Sequence, residues 1–118
     1  MPTKKQILDE IKSDSEVIRS LEDDGDQHDH LHLIEHHFVS ETPEPLNEVV
    51  RIGRLLGFDS ADFGPNSETN HSTFSVNLLS KERIDLTRIA RESILMLAIG
   101  EACGCDYDGW GTYVEKQR

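Results

Sequence analysis

At 118 residues the chain fits one compact domain with a modest hydrophobic core. Its 23 acidic residues outnumber its 12 basic ones, for a formal net charge of -11, which argues against nucleic acid as a direct ligand and against anionic membrane surfaces, since both need lysine and arginine to meet phosphate. The same excess of acid favours solubility and attraction to basic protein segments.

No apolar leader region follows Met1-Pro2-Thr3-Lys4-Lys5-Gln6. The main apolar run, residues 94–99, falls well short of the ~18 residues of a spanning helix. A cytoplasmic protein is expected.

Taken in chain order, residues 3–22 are predicted to form a helix, with Ile7, Leu8, Ile11, Val17, Ile18 and Leu21 as its apolar stripe. Thr3 caps its start, and Glu22-Asp23-Asp24-Gly25-Asp26 ends it through glycine and adjacent like charges. Residues 30–39 alternate as His30-Leu31-His32-Leu33 and continue to Phe38-Val39, a strand pattern. Thr42 is the expected cap of a second helix over 43–56, with Pro43 at its first position and Leu46, Val49, Val50, Gly53 and Leu56 on one face. Gly53 permits close packing on a sheet, and Gly57 ends the helix. A weaker strand over 58–63 carries two aspartates, and residues 64–67 turn. Phe74, Val76 and Leu78 give residues 72–79 a half-buried strand pattern. Asp85 caps a long third helix, with Leu86, Ile89, Ala90, Ser93, Ile94 and Leu97 facing inward and Gly100 and Gly104 at its end. The last strand spans 107–114.

After the first helix the order is β-α-β-β-α-β. This predicts an α+β class with a ferredoxin-like antiparallel sheet and helices on one face. One domain is expected over 1–118, made of an acidic helix and turn at 1–25 and the ferredoxin-like unit at 30–115. The first and last strands of that unit are neighbours, so Ile34-Glu35-His36-His37 should lie beside Gly109-Trp110-Gly111-Thr112-Tyr113.

His28, His30, His32, His36 and His37 crowd into ten residues. On a strand, His30, His32 and His36 share a face and could approach a metal, although zinc-site spacings are absent. Glu35 can reach His37 but not His36, because sequence neighbours on a strand point to opposite faces. One alternative reading is therefore a metal-dependent or acid–base enzyme on this strand. Another, by fold analogy, is a small-molecule sensor using the open sheet face. No Gly-x-Ser-x-Gly turn or Walker-type loop is present. Cys103 and Cys105, one residue apart, lack redox spacing and read as packed reduced thiols. No catalytic residue, cofactor or metal is assigned.

The string Tyr107-Asp108-Gly109-Trp110-Gly111-Thr112-Tyr113 holds the only tryptophan and both tyrosines. Strict alternation puts Tyr107, Gly109, Gly111 and Tyr113 on one face and Trp110 and Thr112 on the other. Trp110 is either a protein-binding anchor or core beneath a helix, with the glycines marking a bulge or a close approach.

This string and Ile34-Glu35-His36-His37, with the Glu-Asp-Asp-Gly turn at 22–25, resemble the bacterial regulator of ribonuclease E activity B (RraB) family over most of the chain. The resemblance implies a non-enzymatic protein that binds ribonuclease E at its C-terminal, non-catalytic scaffold region. Binding would inhibit RNA cleavage and alter the RNA-degrading assembly. It also implies contact with protein rather than with nucleic acid, membrane or a small-molecule substrate. Glu22, Asp23, Asp24 and Asp26 would steer the chain to a basic segment, and Glu35, His37, Trp110 and Tyr113 would provide contacts. Some relatives carry a long acidic C-terminal tail, whereas this sequence closes on Glu115-Lys116-Gln117-Arg118. Affinity is then expected from the folded domain and the first helix.

Overall fold

A computed structural model describes residues 1–115. Lys116, Gln117 and Arg118, included in the expected 1–118 domain, lie outside the described residues.

Helix α1 (Lys4–Asp23) opens with a reciprocal capping box. Gln6 N–H donates to the Thr3 hydroxyl at 3.1 Å, and Thr3 N–H donates to the Gln6 side chain at 2.7 Å. The helix stops at Asp24, followed by Gly25 at φ +85°. Strand β1 (His32–Ser40) begins two residues later than expected. His30 N–H turns back to the Gln27 carbonyl at 3.1 Å, so His30 stays outside the ladder.

Helix α2 (Glu44–Leu55) corrects the predicted cap. Pro43, already in helical conformation, is the cap residue and makes no side-chain cap bond, and Thr42 N–H donates instead to the Ser40 hydroxyl at 3.3 Å. Pro45 in the first turn has no N–H to satisfy, which lowers the need for a cap. Leu56 falls past the last turn and is 53% exposed rather than in the buried stripe. Gly53 is buried as expected, and a Cβ there would sit 2.8 Å from the Leu78 methyls.

Strand β2 (Asp59–Pro65) bulges near Asp62, which adopts φ +59°. After a 3-10 turn at Ser67–Thr69 comes β3 (Phe74–Glu82), longer at its end than expected because it pairs β1 as far as His32. The Asp85 carboxylate accepts N–H groups of Thr87 and Arg88 to start α3 (Leu86–Cys103), and Gly104 at φ +78° ends it. Leu86 at its first position is exposed, against expectation. Strand β4 (Asp106–Gly111) closes the order, shorter than the predicted 107–114.

The sheet order is β2-β3-β1-β4, with every neighbouring pair antiparallel. The fold is thus α+β, a βαββαβ sheet with an additional N-terminal helix, and β1 and β4 are neighbours as the topology required. Ile34, Phe38, Val76 and Leu78 alternate inward toward the helices. One core cluster joins Phe38, Leu46, Val49, Val76, Leu78, Met96 and Ile99 beneath α2 and α3. A second joins Ile18, Leu21, Ile34, Ile84, Ile89 and Trp110, so α1 packs against the flank of α3 near β4. Leu8, predicted in the α1 stripe, is exposed. The inward positions are Ile7, Ile11, Asp14, Ile18 and Leu21, spaced alternately by four and three residues.

Candidate functional site

Strand β4 departs from simple alternation at a decisive place. His36 pairs with Trp110 and Phe38 with Tyr107, so the two residues Asp108 and Gly109 oppose the single residue His37. Gly109 carries φ +89°, which an L side chain resists. This bulge resets the period. Tyr107 and Trp110, expected on opposite faces, both turn toward the helices, while Gly111 remains on the outer face opposite Glu35.

Trp110 is accordingly core, at 8% exposure. Its indole Nε1–H donates to Asp14 Oδ1 at 2.9 Å. The Ser93 hydroxyl donates to the other oxygen of Asp14 at 2.5 Å. Asp14 is 0% exposed, and both of its oxygens are satisfied. Glu10 stands one turn earlier on the same helix. Burial, then the hydrogen bond and charge of Asp14, push the Glu10 carboxyl up to about 8. Composition and strand patterns did not reveal Asp14. The available signal was an aspartate at the centre of the 7-11-14-18-21 helical stripe.

The histidine strand divides in two. His36 is fully buried, with Nδ1 2.8 Å from the Tyr107 hydroxyl and Nε2 2.6 Å from Glu92 Oε1. Ser80 donates to the same Glu92 oxygen. Burial, reinforced by Glu10, Asp14 and Glu92, drives the Tyr107 phenol far above its ordinary value, so it stays protonated. His32 is also buried, with its Nε2 2.7 Å from Asp26 Oδ1 and its Nδ1 2.7 Å from the His30 carbonyl. Both nitrogens of each ring are engaged, and each ring has its own carboxylate. His30, His32 and His36 therefore do not converge, and no group of three or more His, Cys, Asp or Glu is arranged to hold a metal among the described residues. A general acid or base must reach substrate, and His36 has no surface from which to do so. The thiols of Cys103 and Cys105 are free and half-buried. Burial raises both, Cys105 to about 11, which keeps them out of the reactive thiolate form at neutral pH.

The outer sheet face is different. Glu35 and His37, expected together, are linked through Asn77. The Asn77 amide donates to Glu35 at 3.3 Å and to Asp62 at 3.2 Å, and its oxygen lies 2.7 Å from His37 Nδ1. The left-handed bulge carries Asp62 to this group. Tyr113, two residues beyond Gly111, is 72% exposed. A cleft of about 340 Å³ lies elsewhere, between the start of α1, the end of α3 and the start of β4, lined by residues including Gln6, Glu101 and Asp106.

Glu22, Asp23 and Asp24 are exposed at the end of α1. Asp26 is not, which corrects its expected place on the acidic surface. Its carboxylate has no exposed area and binds His32, His28 Nδ1 at 2.5 Å and the Glu115 N–H at 2.7 Å. Burial alone would raise it, but hydrogen bonds from His32, Glu115 and His28 together hold it below its ordinary value. Gln27 N–H also donates to the Glu115 carbonyl at 2.5 Å. Asp26 thus ties the acidic turn to the segment carrying Tyr113. The structure joins Glu35 and His37 on the outer face through Asn77, leaves Tyr113 exposed beyond β4, sets Glu22, Asp23 and Asp24 at the exposed turn after α1, and removes Trp110 to the interior.

Among the described residues no helix is long and apolar enough to cross a membrane. The family profile described as Regulator of ribonuclease activity B matches residues 11–112. A protein of that name from Colwellia psychrerythraea is 31% identical over 103 residues, covering 85% of this chain and 87% of its own. One from Pseudoalteromonas translucida is 29% identical, covering 91% and 96%, and one from Shewanella denitrificans is 25% identical, covering 96% and 88%. By the extent of the profile and the identity to these relatives, the chain belongs to the Regulator of ribonuclease activity B family.

Proposed function

We propose that this protein is a non-enzymatic cytoplasmic regulator that binds ribonuclease E at its C-terminal scaffold region and inhibits its cleavage of RNA. The observation that carries the reading is the family match across residues 11–112. The closed histidine network supports a binding role over a catalytic one, because its polar atoms are engaged with one another. The net charge of -11 supports attraction to a basic protein segment rather than to RNA. On this reading the 1–25 helix and turn and the 30–115 unit act as one body. Glu22, Asp23 and Asp24 steer the approach. Glu35, His37 and Tyr113 make contact, while Asp26 positions the turn and Trp110 supports the fold from inside.

The test is capture of the purified scaffold region at ~50 mM and ~0.5 M salt, with RNA cleavage by the full ribonuclease measured alongside. Capture at low salt that weakens at high salt, with slower cleavage, is expected. Reversing Glu22, Asp23 and Asp24 to lysine should reduce capture, and Tyr113→Ala should reduce it without changing thermal stability. Absence of capture at low salt would overturn the assignment of the partner.

A further inference from the structure

The surroundings of His32, a buried side chain at the start of β1, dictate how many protons its ring carries. Its Nδ1 lies 2.7 Å from the His30 carbonyl, and its Nε2 lies 2.7 Å from Asp26 Oδ1. A carbonyl oxygen only accepts, so Nδ1 bears a hydrogen. The Asp26 carboxylate is ringed by donors. Its Oδ1 also accepts the Glu115 N–H at 2.7 Å, and its Oδ2 lies 2.5 Å from His28 Nδ1. Burial would raise this carboxyl, but hydrogen bonds from His32, Glu115 and His28 hold it below its ordinary value, so Asp26 is the acceptor of the pair. Nε2 then bears a hydrogen as well. A neutral imidazole has one N–H only. Whichever nitrogen it left bare would aim a lone pair at an oxygen 2.7 Å away, between two side chains with no exposed area. His36 is different, because the Tyr107 hydroxyl can donate to its Nδ1 and leave Nε2–H for Glu92 on a neutral ring.

Charged groups approach this hub from α1, β3 and α3 as well as from the turn. Glu22 of α1 lies 3.2 Å from His28 Nε2. Glu82 of β3 stands opposite His32 in the ladder, with Arg88 of α3 4.0 Å from its carboxylate. Arg83, between β3 and α3, donates to the Asp29 carbonyl. Asp26 is the carboxylate in contact with the His32 ring, and it carries the balancing charge.

We propose that His32 stands as an imidazolium and acts as a proton latch: with both nitrogens protonated it closes the Asp26 hub, and loss of the Nε2 proton at higher pH frees the turn after α1 and the Glu115 segment from the start of β1. Backbone bonds spread the effect, since Gln27 N–H donates to the Glu115 carbonyl at 2.5 Å and Ile84 N–H to the His28 carbonyl at 3.0 Å. The latch is a property of the chain alone and stands whether or not the partner is ribonuclease E. Its direction follows from linkage. The closed hub needs a proton that the open one does not, so closure is fully favoured below the ordinary histidine value of about 6.5 and weakens as pH rises above it.

Nitrogen-15 NMR of histidine-labelled protein near pH 7 reads the proton directly. Both ring nitrogens of His32 should carry hydrogen, whereas in urea-unfolded protein the ring is mostly neutral at that pH. Hydrogen exchange reads the consequence. Protection of the Gln27, Ile84 and Glu115 amides, corrected for intrinsic rates and taken relative to Phe38 and Val76 in the sheet, should fall by up to about tenfold per unit between about pH 7 and 9. His28→Gln, which leaves His32 in place, should keep that slope, and His32→Gln should abolish it. Should His32→Gln fail to fold, the ring measurement on the parent decides alone. A single ring N–H on His32 near pH 7, a proton on Asp26 instead, protection independent of pH, or the same slope in His32→Gln would each overturn the proposal.

Discussion

Replacing Trp110 by phenylalanine separates the two possible roles of the C-terminal string. The substitution keeps an aromatic ring under α1 and α3 but removes the Nε1–H that meets Asp14 at 2.9 Å. A hydrogen bond to an ionised acceptor contributes about 1.5–3 kcal/mol, and losing a donor leaves that oxygen of a fully buried carboxylate without its partner. The smaller ring also leaves a gap costing about 1 kcal/mol. The sum is roughly 2–4 kcal/mol, which in a chain of this size lowers the melting temperature by about 8–16 °C. Urea denaturation followed by circular dichroism measures it, since the variant has no tryptophan to report. A double-mutant cycle with Asp14→Asn should show a coupling above about 1 kcal/mol. Capture of the ribonuclease scaffold, tested well below the melting point, should be unchanged. A loss of stability under about 0.5 kcal/mol, additivity with Asp14→Asn, or loss of capture by a folded variant would refute the placement of Trp110 as a core residue acting through Asp14.

Gly109→Ala isolates the bulge. Nothing lies within 4 Å of the added Cβ, so its cost arises from φ +89° alone and should be about 1–2 kcal/mol in a denaturant titration. His36→Leu fills a similar space but strands Glu92 and the Tyr107 hydroxyl, and should destabilise by roughly 2–4 kcal/mol, with the Tyr107 phenol still silent in an ultraviolet pH titration up to the unfolding point. Asp26 titrates below its ordinary value of 3.8 when folded, so its contribution is present above that value and is lost as pH falls through the folded one. Asp26→Asn should lower the urea midpoint at neutral pH and flatten its decline toward about pH 3 relative to the parent; a parallel decline in both proteins would contradict the assigned partners.

By itself the sequence determined the elements and their order. Helical stripes, the Thr3 and Asp85 caps and the alternation around Val76 and Leu78 are local signals, governed by periods and hydrogen bonds that span a few residues. The neighbouring of β1 and β4 followed from the βαββαβ order, and the pairing of Glu35 with His37 on one face followed from the pleat. The regulator family was legible too, because the Tyr107–Tyr113 string is distinctive whatever its side chains touch. Tertiary structure decided what those side chains do. A single extra residue at Gly109 brought Tyr107 and Trp110 to the same face, and no count of alternation detects that shift before the register with β1 is known. His32, His36 and Asp26 look like exposed ligands in the sequence, yet the fold pairs His32 with Asp26, His36 with Glu92 and Tyr107, and Asp26 also with the Glu115 N–H. Asp14 was invisible as a site because its meaning depends on Ser93 and Trp110, 79 and 96 residues away. Whether a polar group is surface or keystone depends on which donors the fold delivers to it, and that is set by packing between elements rather than by the residues beside it in the chain.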